Sequence, residues 1–133
     1  LSKRLIGVTE WLADLEIARN CKLAYFGEGT GVAVALKAAS YLPYISAIVS
    51  HSGRPNLVTE LLCKIKAPTM LIVEGLDDEI LQINRTALLE LCYNKKLEVI
   101  QGVSHLFEDS GAVNKVAALS NNWFKRYLKT IKL

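Results

Sequence analysis

Four short apolar runs constrain the fold of this chain more than any other feature. Lys22-Leu23-Ala24-Tyr25-Phe26, Ser46-Ala47-Ile48-Val49-Ser50, Thr69-Met70-Leu71-Ile72-Val73 and Leu97-Glu98-Val99-Ile100 are too short for helices, and the middle two are rich in β-branched residues. Runs of that kind are the mark of strands covered on both faces, as in parallel sheets. Between them the apolar residues change period. Leu5, Val8, Leu12 and Leu15, then Val32 to Ala39, then Ile80, Ile83, Ala87, Leu88 and Leu91, and finally Val113, Val116, Ala117, Trp123, Tyr127 and Leu128 fall at helical spacing. Leu57, Leu61 and Leu62, after the loop Arg54-Pro55-Asn56, suggest a short helix. The alternation predicts an α/β fold, a parallel sheet of about four strands flanked by helices.

A chain of 133 residues, 51% hydrophobic and 22% charged, is expected to form one domain over 1–133 that buries roughly two thirds of its unfolded surface. The net charge is only +3. Its basic cluster, Lys125, Arg126, Lys129 and Lys132, reads as the solvated face of the last helix, so no nucleic-acid partner is expected. No apolar run reaches the roughly twenty residues that span a bilayer, and the expectation is a cytoplasmic protein with no membrane partner. The absence of Met at position 1 is read as a sign that residue 1 is not the natural start. Cys21, Cys63 and Cys92 are far apart and form no Cys-x-x-Cys pair, so neither a disulfide framework nor a zinc site is expected.

In open parallel sheets, ligands bind beyond the carboxyl ends of the strands. Those ends carry Gly27-Glu28-Gly29-Thr30-Gly31, His51 to Arg54, Glu74 to Glu79, and Gly102 to Phe107. The first is a strand-to-helix turn in which glycines permit a sharp bend and a close-packed helix. Asp77 follows the third strand and His105 the fourth. An Asp that accepts from one imidazole nitrogen fixes the tautomer and leaves the other nitrogen to act as general base. Asp77 alone reads as a turn residue or helix cap, with Asp78 equally placed, and His105 alone as a surface histidine. His51 reads as a loop residue at the pocket rim, Ser52 as a turn serine, and Arg54 as capping carbonyls or binding a substrate carboxylate.

Tyr25-Phe26-Gly27-Glu28-Gly29-Thr30-Gly31, Ser50-His51-Ser52-Gly53-Arg54-Pro55-Asn56-Leu57, Ala67-Pro68-Thr69-Met70-Leu71-Ile72-Val73 with Gly75 and Asp77, and Gly102-Val103-Ser104-His105-Leu106-Phe107-Glu108 together resemble dienelactone-hydrolase-like α/β-hydrolases, in a subgroup sometimes fused to a phosphoribosyltransferase domain. The resemblance covers nearly the whole chain and implies the C-terminal half of that fold. It also implies Asp77 and His105 as triad acid and base, and the Thr30 amide as an oxyanion donor. The family's elbow reads Gly-x-Ser-x-Gly, whereas the nucleophile position here is Gly29, which has no side chain to attack with. The side chain of Glu28 is expected to point elsewhere.

The implied function is hydrolysis of a small-molecule ester, lactone or related acyl bond, impaired by Gly29, with no cofactor and no metal. Two alternatives stay open. One is a non-catalytic binding or regulatory subunit, whose exposed first strand takes a partner chain or the missing N-terminal half. The other is a Rossmann-like module that cradles a nucleotide with Gly27 to Gly31, although the full Gly-x-Gly-x-x-Gly is absent.

Overall fold

In a computed structural model of the chain, residues 1–101 and 110–129 are described. Strands β1 (Leu23–Glu28), β2 (Ile45–His51), β3 (Thr69–Glu74) and β4 (Lys95–Ile100) form one four-stranded sheet in the order β1-β2-β3-β4. Every pairing is parallel. Helices α1 (Ser2–Asp14), α2 (Gly31–Tyr41), α3 (Asp78–Glu90) and α4 (Ser110–Tyr127) flank it, with a kinked 3-10 segment, Pro55–Lys64, between β2 and β3. The parallel α/β architecture expected from the apolar runs is the one observed.

The sheet separates two cores. On one face Ile48 and Leu71 pack with Val32 and Leu36 of α2, Leu62 of the 3-10 segment, and Ala87 of α3. On the other, Ala47, Val49, Met70, Ile72 and Ile100 meet Val116 and Trp123 of α4. The Trp123 indole donates to the Pro68 carbonyl at 3.2 Å, satisfying the one polar group this large side chain brings inside. Alternation along the strands decides the faces. Val49 and His51 therefore share the α4 side, as do Ile72 and Glu74.

Three local expectations need correction. On α1 the inward residues are Leu5, Ile6 and Thr9. Val8 is 59% exposed and Trp11 63%, while the helix packs on α2 and, through Thr9, on Tyr25 of β1. On α4 Ala112 is buried along with Val116 and Trp123, while Val113 faces out. Cys63 and Cys92, read as unrelated, are joined in a disulfide with Cα atoms 4.9 Å apart across a sequence separation of 29. Folding brings the end of the 3-10 segment beside the end of α3, a proximity that spacing in sequence does not reveal. A loop of that size gives an entropic stabilisation of roughly 3 to 4 kcal/mol in the chain-entropy treatment. Cys21 is free and exposed. Among the described residues no helix is long and apolar enough to cross a membrane.

The buried Thr9 hydroxyl meets the Tyr25 hydroxyl at 2.7 Å, which ties α1 to β1. Burial pushes the Tyr25 phenol above its usual 10.0, the Thr9 hydrogen bond opposes that shift, and Tyr44 adds to it. A phenol raised on folding leaves stability intact below pH 10.0 and removes it as pH rises through the folded value. Urea midpoints of the unchanged chain should therefore fall between about pH 9 and about pH 11, and those of Tyr25→Phe should fall less. Equal slopes would show that this phenol does not contribute.

Candidate active site

The turn after β1 and the loop after β2 are held together by close packing on Val32, at the start of α2. A Cβ on Gly27 would lie 3.0 Å from the Val32 Cα and 3.1 Å from its nitrogen, and one on Gly53 would strike the Val32 side chain and the Ser50 hydroxyl. Glycine at both positions lets the helix start against the strand end. Backbone bonds then stitch the two segments. The Gly29 amide donates to the His51 carbonyl and the Arg54 amide to the Gly29 carbonyl, both at 3.2 Å.

Gly29 has a φ of +57° and, among the described residues, no atom within 4 Å of where a Cβ would stand. It is thus a sharply turned residue between a strand and a helix. Thr30 follows as the residue before α2, at the end of a helix where amides lack intrahelical partners. Asp77 caps α3, accepting from the Ile80 amide at 3.3 Å. The capping role does not remove it from the site: Glu28, Gly29, Ser52, Arg54, Asp77, Glu79 and Ile80 line one cavity of about 360 Å³. His105 lies outside the described residues. Of the sequence-derived candidates, Gly29 and Asp77 are brought to the same cavity.

Glu28 also lines that cavity. Its side chain is 68% exposed, with Oε1 3.3 Å from the His51 Nδ1. The reason is register. Glu28 and His51 are direct partners across β1 and β2, so the parallel ladder sets them side by side. Arg54 is 3.8 Å from Glu79. Three carboxylates and one guanidinium therefore line the cavity, which disfavours an anionic ligand there. Among the described residues no group of His, Cys, Asp and Glu could hold a metal ion.

Sequence reasoning missed a buried polar network beneath this cavity. His51 is 4% exposed and is the last residue of β2, not a rim loop residue. Its Nε2 lies 2.5 Å from Oε1 of the fully buried Glu74. Ser52 donates to Oε2 of the same carboxylate and does so from a left-handed backbone, φ +46°. That conformation costs a non-glycine residue roughly 1 kcal/mol, which charge-assisted hydrogen bonding offsets. Asn84 of α3 donates to the Gly53 carbonyl at 3.0 Å, pinning the same loop from the far side. A signal was available: the alternation Val49, His51 and Ile72, Glu74 continues two inward-facing rows into polar residues.

An isolated carboxylate is very costly to bury, so Glu74 depends on its two donors and they on it. Glu74→Ala should cost about 3 kcal/mol in chemical denaturation, since the buried His51 and the half-buried Ser52 lose a shared partner. Glu74→Gln should cost much less, because its carbonyl can still accept from His51 and its amide can donate to the Ser52 hydroxyl. Equal losses for the two variants would mean that packing, not hydrogen bonding, is what Glu74 supplies.

With this geometry in view, the comparisons with known proteins are specific. No family model matches the chain. Two Mycobacterium tuberculosis proteins, of strains CDC 1551 and H37Rv and each named "Putative phosphoribosyl transferase", are 40% identical over 130 residues. The match covers 96% of this chain and 29% of each of theirs. Among solved structures, a dienelactone hydrolase from Anabaena variabilis superposes with a TM-score of 0.93 at 43% identity, over 96% of this chain and 60% of that one. The esterase domain of a Rhodothermus marinus protein, 14% identical, shares the fold with a TM-score of 0.81, over 97% of this chain and 70% of that one. The chain thus spans less than two thirds of the length of the Mycobacterium relatives and of the Anabaena hydrolase. The four-stranded parallel sheet, its strand-to-helix turn at Gly29 and the 43% identity agree: the chain is dienelactone-hydrolase-like and belongs to the α/β-hydrolase superfamily.

Proposed function

We propose that this chain is the acyl-hydrolase part of its protein, built to cleave a small ester, lactone or related acyl bond and impaired at the covalent step. The observation that carries this reading is Gly29: a positive φ at a strand-to-helix turn, and a cavity shared with Asp77. The Asp77 carboxylate would orient His105, His105 would move the proton, and the Thr30 amide would stabilise the oxyanion. A serine at 29 would supply the attacking oxygen that glycine lacks. The phosphoribosyl transferase name of the Mycobacterium relatives is read as belonging to the large part of them that this chain does not match. The edge of β1, where Phe26 is 51% exposed, is read as the place where the remainder of a hydrolase sheet would pair.

Loss of a triad member costs several orders of magnitude in rate. In the whole protein, Gly29→Ser should raise hydrolysis of an activated ester by roughly 10³-fold, with an acyl-enzyme burst, and adding His105→Ala should abolish the gain. The same substitution should cost about 1 kcal/mol of stability, because serine must adopt the left-handed conformation that glycine adopts freely. A folded Gly29→Ser protein that remains inert would reject the acyl-hydrolase reading in favour of partner binding.

A further inference from the structure

The 3-10 segment Pro55–Lys64 and helix α3 lie side by side, and what holds them differs between their two ends. Residues spaced along both, Asn56, Thr59 and Leu62 of the one and Glu79, Ile83 and Glu90 of the other, line a shared groove. Their beginnings stand at the cavity. Arg54, just before Pro55, and Asp77, Glu79 and Ile80, at the start of α3, are part of its wall. There the ties are the Asn84 amide on the Gly53 carbonyl at 3.0 Å and the Arg54–Glu79 ion pair at 3.8 Å. Midway, Leu62 and Ala87 belong to one apolar core. At the far ends, Cys63 and Cys92 join the two elements covalently.

We propose that Cys63 and Cys92 form a reversible thiol–disulfide exchange site that reacts with a dithiol, and that their oxidation state sets how firmly these two elements of the cavity wall are held together. The inference stands apart from the acyl-hydrolase reading, since it uses neither Gly29 nor the triad positions. Both cysteines are exposed residues, which puts the bond within reach of a thiolate while the chain stays folded. Accessible disulfides are the labile ones in exchange chemistry. The cross-link spans a sequence separation of 29, so its loss frees a long loop. That loop contains all of β3 and α3. After reduction, the far ends of the segment and of α3 keep only non-covalent contacts, while the hydrogen bond and ion pair at the cavity end remain.

In the exchange, one thiolate of the dithiol attacks a sulfur of the pair, the protein S–S bond breaks, and the other cysteine leaves as a thiolate that takes up a proton. The second thiol of the reagent then displaces the first protein sulfur. The protein gains two electrons and two protons and ends with two thiols, and the dithiol is oxidised to its own disulfide. Oxidised glutathione reverses the change by the same chemistry.

The test uses the whole protein under folding conditions with dithiothreitol. Alkylation and peptide mass mapping score Cys63 and Cys92, and amide hydrogen exchange reads the elements. Reduction should be first order in dithiothreitol and indifferent to low urea. Exchange over 55–64 and 78–90 should then rise roughly tenfold more than over β1 and β2, and oxidised glutathione should restore the original pattern. Cys63→Ser with Cys92→Ser should exchange like the reduced protein and ignore the reagent; should that variant not fold, the reduced unchanged chain supplies the same comparison. A rate that levels off with rising dithiothreitol, or that low urea accelerates, would show that the bond opens only in unfolded chain. Exchange that rises equally in every element would show that the cross-link serves global stability alone. Either result, or thiols at 63 and 92 that oxidised glutathione does not join, overturns the proposal, and none of these readouts depends on ester hydrolysis.

Discussion

The packing of Val32 under two glycines is the constraint on which the rest of this structure depends. Gly27 lets α2 begin against the end of β1, and Gly53 lets the loop after β2 close over the same side chain. With both loops seated on one residue, the Gly29 and Arg54 amides can complete the hydrogen bonds that join them. Any side chain at 27 would press on backbone rather than on a flexible neighbour, which is the costly kind of overpacking. The turn that exposes position 29 is thus a product of the core beneath it.

A second layer of order comes from burying a carboxylate. Glu74 ends a strand that is buried throughout, and it is tolerated there because two donors converge on it. Those partners are consecutive residues, His51 and Ser52, so one acidic side chain holds a histidine at the end of β2 and a serine in a left-handed turn. Low polarity around such a network strengthens its hydrogen bonds and penalises any that is lost. The contrast with Glu28 is one of depth. The two carboxylates flank the same imidazole, but Glu74 is enclosed whereas the Glu28 side chain is mostly exposed.

Much of the fold was legible because the periodicity of strands and helices is written locally. The four apolar runs fall within the four strands except for Lys22, which precedes β1, and the glycine-rich stretch forms the expected strand-to-helix turn. Asp77 was legible as a residue following β3, although its cap on α3 and its place in the cavity could not be separated by inspection. What failed were judgements about which face of an element has a neighbour. Val8 on α1 and Val113 on α4 are apolar and correctly spaced, yet exposed. Asn84 interrupts an apolar stripe and is fully buried, since its amide reaches the Gly53 carbonyl, 31 residues away in sequence.

The sequence by itself determined the parallel α/β architecture and the glycine-rich strand-to-helix turn that leaves position 29 without a side chain, because each follows from residue type and local spacing. Only the tertiary structure decided that Glu28 stands beside His51, that Glu74 anchors both His51 and Ser52, and that Cys63 meets Cys92. These pairings depend on strand register and on where one element ends against another, and those are set by the packing of the whole chain. A sequence states which groups are available for chemistry, but distance selects among them, and distance is a property of the fold.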